Sequence, residues 1–168
     1  MKSPHIERAI ALAAGLVLAS SAAAQFRSPR SVSAPKGSQG CAFDTLVPFY
    51  FGAYDDASSS PLQTTATFRI KCTGVGNASA VFSSGPSSVT GDYQDRRMQG
   101  PQGSQLRYQL YTNSARSIVW GDGTRDTQPI VVTQNGAYRD ITVYAQMPAS
   151  QAAEVGEYAD TIVVTILP

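Results

Sequence analysis

Leu62-Gln63-Thr64-Thr65-Ala66-Thr67-Phe68-Arg69-Ile70-Lys71-Cys72 is the stretch on which the fold class turns. Leu62, Thr64, Ala66, Phe68, Ile70 and Cys72 share one face of an extended chain. Gln63, Thr65, Thr67, Arg69 and Lys71 take the other. A period of two, with polar residues on one side only, is the pattern of a half-buried antiparallel strand. Shorter runs of the same kind follow. Leu106, Tyr108 and Leu110 alternate with Arg107, Gln109 and Tyr111; Ile141, Val143, Ala145 and Met147 alternate with Thr142, Tyr144 and Gln146. Ile118-Val119-Trp120 reads as a short strand ending in the turn Gly121-Asp122-Gly123. Ile130–Thr133 and Asp140–Met147 flank Gln134-Asn135-Gly136-Ala137, which reads as a hairpin loop. The closing Gly156-Glu157-Tyr158-Ala159-Asp160-Thr161-Ile162-Val163-Val164-Thr165-Ile166-Leu167-Pro168 runs into a last strand. No stretch sustains a helical period. Eight or so short strands separated by turns make an all-β sandwich the expected fold.

The first 24 residues read differently. Lys2 and Arg8 give a positive start, Ala9 to Leu18 is an apolar run, and Ala22-Ala23-Ala24 is a small-residue cleavage pattern before Gln25. That is a secretory signal peptide over 1–24. Its apolar run is too short for a membrane helix, which needs about 20 residues. The mature chain is therefore expected to carry no membrane span. Cleavage removes Lys2, Arg8 and Glu7, taking basic residues from 13 to 11 and acidic ones from 12 to 11, so the mature charge is zero. Such a chain has no long-range field for nucleic acid or anionic lipid. Its 144 mature residues suit one domain.

Cys41 and Cys72 are the only cysteines. Two cysteines in an exported chain are expected to pair, closing a loop of about 30 residues worth roughly 3–4 kcal/mol. Metal binding and a reactive thiol are the alternatives, and two thiols without histidine make a poor metal site. Residues 25–40 form a distinct arm, with Pro29, Pro35, four serines, three bases and no acid. Alone it should be disordered. Phe26 and Val32 are its only sizeable apolar residues. The folded body is read as 41–168.

The only histidine, His5, leaves with the signal peptide, which excludes Ser-His-Asp and Cys-His arrangements in the mature chain. Asp55 with Asp56, and Asp122 with Asp126, are paired carboxylates in turn-rich loops, where Asp caps turns through its own side chain. Asp122-Gly123-Thr124-Arg125-Asp126 lacks the ligand spacing of a calcium loop. Trp120 beside Ile118 and Val119 reads as core. Arg96-Arg97 reads as a basic pair bridging to Asp92 or Asp95. The expectation is a protein with no cofactor, no metal and no catalysis.

Several pieces taken in order resemble a known family. Cys41 precedes Phe51-Gly52-Ala53-Tyr54-Asp55, and a polar strand ends in Ile70-Lys71-Cys72-Thr73. Arg96-Arg97-Met98 stands before Leu106-Arg107-Tyr108-Gln109-Leu110-Tyr111-Thr112. Trp120-Gly121-Asp122-Gly123, Ile141-Thr142-Val143-Tyr144-Ala145-Gln146-Met147-Pro148 and Gly156-Glu157-Tyr158-Ala159-Asp160 complete the set. Together they resemble the spore coat protein U domain family, subunits of Csu-type (archaic) chaperone–usher pili. The resemblance implies an immunoglobulin-like sandwich that lacks its final strand. It implies a periplasmic pilus chaperone, an outer-membrane usher and neighbouring pilus subunits as partners. A partner strand would fill the groove by β-augmentation. Ile162, Val164 and Ile166 are the candidates to line it, with Phe43 and Leu46 near the first strand. Phe26 and Val32 are the candidate donor residues of the arm. The chain would pass through the periplasm to the cell surface or an extracellular fibre. The alternative is a free-standing secreted β-sandwich that binds carbohydrate or matrix.

Overall fold

The computed structural model describes residues 24–25, 40–45, 47–73, 79–133 and 136–167. The proposed leader, apart from Ala24, lies outside them, as do Phe26, Val32 and Leu46. The strands are β1 (Ala24–Gln25), β2 (Gly40–Thr45), β3 (Leu62–Thr73), β4 (Ser79–Ser84), β5 (Arg96–Gln99), β6 (Gln105–Tyr111), β7 (Ile130–Thr133), β8 (Tyr138–Met147), β9 (Tyr158–Ala159) and β10 (Val164–Leu167). A 3-10 turn, Pro101–Gly103, joins β5 to β6.

They form two sheets. The main sheet has the order β1-β9-β5-β6-β8-β3-β2, and the smaller one has the order β10-β4-β7. Every pairing is antiparallel except β1 with β9, where Ala24 and Gln25 run beside Tyr158 and Ala159. The central ladder is β3 with β8, which pairs Leu62 with Met147 at one end and Lys71 with Tyr138 at the other.

The alternation of β3 is realised as expected. Ala66, Phe68, Ile70 and Cys72 are buried, and so are Ile141, Val143, Ala145 and Met147 opposite them. On the outer face Thr67 meets Thr142 at 3.2 Å, Gln63 meets Gln146 at 3.0 Å, and Arg69 holds Asp140 through two bonds of 2.7 and 2.9 Å. These outer rungs are solvent-exposed, so each contributes little beyond register. Cohesion comes from the interior. Phe82 of the small sheet stacks on Trp120 at 4.9 Å and meets Phe68 of the main sheet at 5.3 Å. Trp120 is wholly buried, and its indole N–H donates to the Phe82 carbonyl at 3.2 Å. An aromatic pair adds about 0.5–1.5 kcal/mol beyond the area it buries. The Trp120 loop needs glycine next in the chain: a Cβ on Gly121 would lie 2.2 Å from Thr127 Oγ1.

Two expectations change. Ile130–Thr133 and the following strand do not form a hairpin with each other. β7 pairs with β4 in the small sheet, while β8 pairs with β3 and β6 in the main sheet. The connection crosses between layers, because β7 turns Val132 into the core from the opposite side to Ile141 and Val143. Gln134 and Asn135 of the proposed loop lie outside the described residues. Ile118-Val119-Trp120 is not a regular strand either; it makes single bridges, Val119 with Tyr111 and Trp120 with Gln128.

Cys41 and Cys72 are bonded, and they face each other across β2 and β3. The bond ties the outermost strand of the main sheet to its neighbour. Replacing both cysteines by alanine should lower the free energy of unfolding by about 3 kcal/mol on the loop-entropy relation. Urea unfolding of the double variant against the oxidised protein measures it, and reductant should lower only the latter's midpoint.

Candidate strand-acceptor slot

Among the described residues, each sheet ends on the same side of the sandwich in a strand with one unpaired edge. β2 closes the main sheet and pairs only with β3; β10 closes the small sheet and pairs only with β4. β2 and β10 lie beside one another without pairing. Their outer N–H and C=O groups therefore face no strand among the described residues.

The side chains between these edges are apolar and incompletely covered. On β2, Cys41 and Phe43 are half-buried and pack on the core; Phe43 meets the edge of Phe82 at 5.9 Å. On β10, Val164 and Ile166 do the same. Ile162, just before β10, is already sealed, at 3 % exposure. The opposite face of this segment is apolar too: Val163 is 62 % and Leu167 57 % exposed. β10 has no charge and no proline within it. Natural edge strands are protected by such residues, by bulges or by a covering element. β2 carries an irregularity between Phe43 and Thr45 and an exposed Asp44, while β10 carries neither device.

Of the sequence candidates, then, Phe43, Val164 and Ile166 come together at the opening, Ile162 lies behind it, and Leu46 falls outside the described residues. Cys41, expected only as half of a disulfide, also stands on the β2 wall. Its place two residues before Phe43 on a strand was the available signal.

The other candidates are structural. Asp55 accepts from the Ala57 N–H at 3.0 Å, a turn cap. Asp122 accepts from the Thr124 N–H at 2.9 Å, from its hydroxyl at 2.6 Å and from the Tyr93 hydroxyl at 2.7 Å. These bonds, Thr124 foremost, lower its pKa from 3.8 to about 2. Arg97 bridges Asp95 at 2.8 Å as expected, but Arg96 does not share that role; it is wholly buried. Tyr111 and Tyr144 are half-buried, and Arg116 lies over the Tyr144 ring at 5.7 Å. A second recess of about 680 Å3 opens between β7 and the first half of β8, with Thr112, Asn113 and Tyr144 at its rim.

The Spore Coat Protein U domain profile matches residues 30–165, most of the chain. The chain belongs to that family. The match begins inside the arm and takes in β2 to β9 and the first two residues of β10, so it includes Phe43 and Val164 and stops one residue short of Ile166. No curated protein matches the sequence. A solved structure with a similar chain is the CsuC–CsuE chaperone–tip adhesion subunit pre-assembly complex from archaic chaperone–usher Csu pili of Acinetobacter baumannii. The TM-score is 0.48 at 16 % identity, over 77 % of this chain and 39 % of that one.

The Asp122 turn has a pH signature. Its folded pKa lies below the unfolded value, so it adds stability that is present above pH 4 and lost as the pH falls through about 2. Thermal melts between pH 5 and pH 2 should show a smaller acid loss in Asp122→Asn than in the parent. Equal loss in both would remove the turn from the account of acid stability.

Proposed function

We propose that this spore coat protein U domain protein is an exported structural subunit of a chaperone–usher pilus or coat. Its body accepts a partner's strand between β2 and β10. The observation that carries this reading is the pair of unpaired edges on one side of the sandwich, with Phe43, Val164 and Ile166 half-covered between them.

The chemistry is β-augmentation. An incoming strand pairs its backbone with β10 and sets alternate apolar side chains over Phe43, Val164 and Ile166. Each new backbone bond nets about 1 kcal/mol, and each apolar side chain withdrawn from water adds about 25 cal/mol per Å2. A periplasmic chaperone would supply that strand first, and the arm of a neighbouring subunit would replace it at an outer-membrane usher. The arm of this chain, residues 25–40, is a weak donor by composition. It offers Phe26 and Val32 as anchors, and Pro29 and Pro35 each remove a backbone N–H. A minor subunit or a coat-like relative fits that arm better than a repeating shaft subunit.

The test is complementation of the mature protein. It should melt at a higher temperature and stay monomeric when mixed with a strand peptide of alternating apolar residues. Ile166→Asp, which places a charge in the slot, should weaken that peptide by about 100-fold, or about 2.7 kcal/mol. A protein that melts alone at high temperature and ignores strand peptides, but binds a glycan, would support the free-standing sandwich instead. The arm has its own readout: a peptide of residues 25–40 should bind at least tenfold more weakly than the alternating peptide.

A further inference from the structure

Arg96 and Asp160 are the buried charged side chains among the described residues, at 0 % and 4 % exposure. They sit where the chain passes from one sheet to the other. β9 belongs to the main sheet and β10 to the small one, so residues 160–163 make the crossing. Asp160 Oδ1 accepts from the Ser88 N–H at 2.9 Å, the Ser88 hydroxyl at 2.5 Å and the Thr161 N–H at 2.7 Å. Its Oδ2 accepts from the Tyr108 hydroxyl of β6 at 2.7 Å.

Arg96, on β5, reaches the small sheet directly. Its Nη2 donates to Ser84 Oγ at 3.0 Å and to the Trp120 carbonyl at 3.1 Å, and Nε donates to Gln109 Oε1 at 3.2 Å. Its guanidinium lies over the Tyr93 ring at 5.6 Å. Ser84 is the residue of β4 that stands opposite Val164 of β10. Burial lowers the pKa of Arg96, and the neighbouring Tyr108 and Asp160 oppose that shift. One polar cluster therefore joins β5 and β6 of the main sheet to β4, through Ser84, and to the crossing that leads into β10, through Asp160.

Buried charged groups seldom add stability over apolar replacements of the same volume. What they add is direction: their bonds form at one sheet spacing and one register. The sandwich needs such direction here. On the slot side no strand among the described residues joins β10 to β2, and apolar contact alone permits the small sheet to slide. We propose that Arg96, Tyr108 and Asp160 form a brace that holds β10 in strand geometry before any partner arrives. They are positioning residues, acting through β10 on strand uptake. A wall already in place spares the incoming strand the cost of ordering it. The consequence for uptake rests on the acceptor reading above; the brace itself does not.

Native-state hydrogen exchange of the mature protein separates the two. In Arg96→Met and Tyr108→Phe, the amides of β10 that face β4 should lose protection at least tenfold more than those of the β3–β8 ladder. The alternating strand peptide should bind about tenfold more weakly to each variant. Loss of protection spread equally over both sheets, or none, overturns the brace. Tyr108→Phe keeps the ring and removes only the hydroxyl, so it gives the same comparison where Arg96→Met does not fold. If the parent protein binds no strand peptide, the acceptor reading fails while the exchange pattern still judges the brace.

Discussion

Backbone N–H and C=O groups at a strand edge must be satisfied by another strand or by water, and that requirement shapes this molecule. Among the described residues the main sheet ends at β2 and the small sheet at β10, with both unpaired edges on one side. Water can satisfy the polar groups there. It cannot do the same for Phe43, Val164 and Ile166, which stand half-covered between those edges. A strand from a partner satisfies both demands at once, whereas a polar ligand would meet only the first. The functional reading follows from that difference.

The rest of the sandwich keeps the opening in shape. The Phe68, Phe82 and Trp120 cluster fixes the distance between layers at the centre. The Cys41–Cys72 bond fixes the outer wall on β2. Arg96, Tyr108 and Asp160 meet at the crossing that delivers β10, the inner wall. Apolar packing, a covalent link and a directional polar cluster thus act on three different margins. Each supplies something the others lack: cohesion, tether and register.

Much of this was legible in the sequence. The period-two pattern of Leu62–Cys72 located the central ladder and the buried side of Cys72. Trp120 was read as core from its neighbours, and Asp122 as a turn cap from its glycines; both hold. The paired strands around 130–147 misled, because adjacency in sequence and a glycine-containing loop describe a hairpin and a crossover between sheets equally well. By its charge Arg96 reads as a surface ion-pair partner; by its phase it does not. It lies two residues before Met98, on the inward face of the same strand, and period two alone would have placed it inside. The place of the open edges, at β10 and β2, follows from the family resemblance and not from any one strand's pattern, since pairing partners are set by the whole topology.

The most direct measurement is a nuclear magnetic resonance titration of the isotope-labelled protein with the alternating strand peptide. The account predicts slow-exchange shifts confined to residues 41–45 and 162–167, with new inter-strand contacts between the peptide and β10. Shifts confined to the recess between β7 and β8, or contacts that leave β10 untouched, would contradict it.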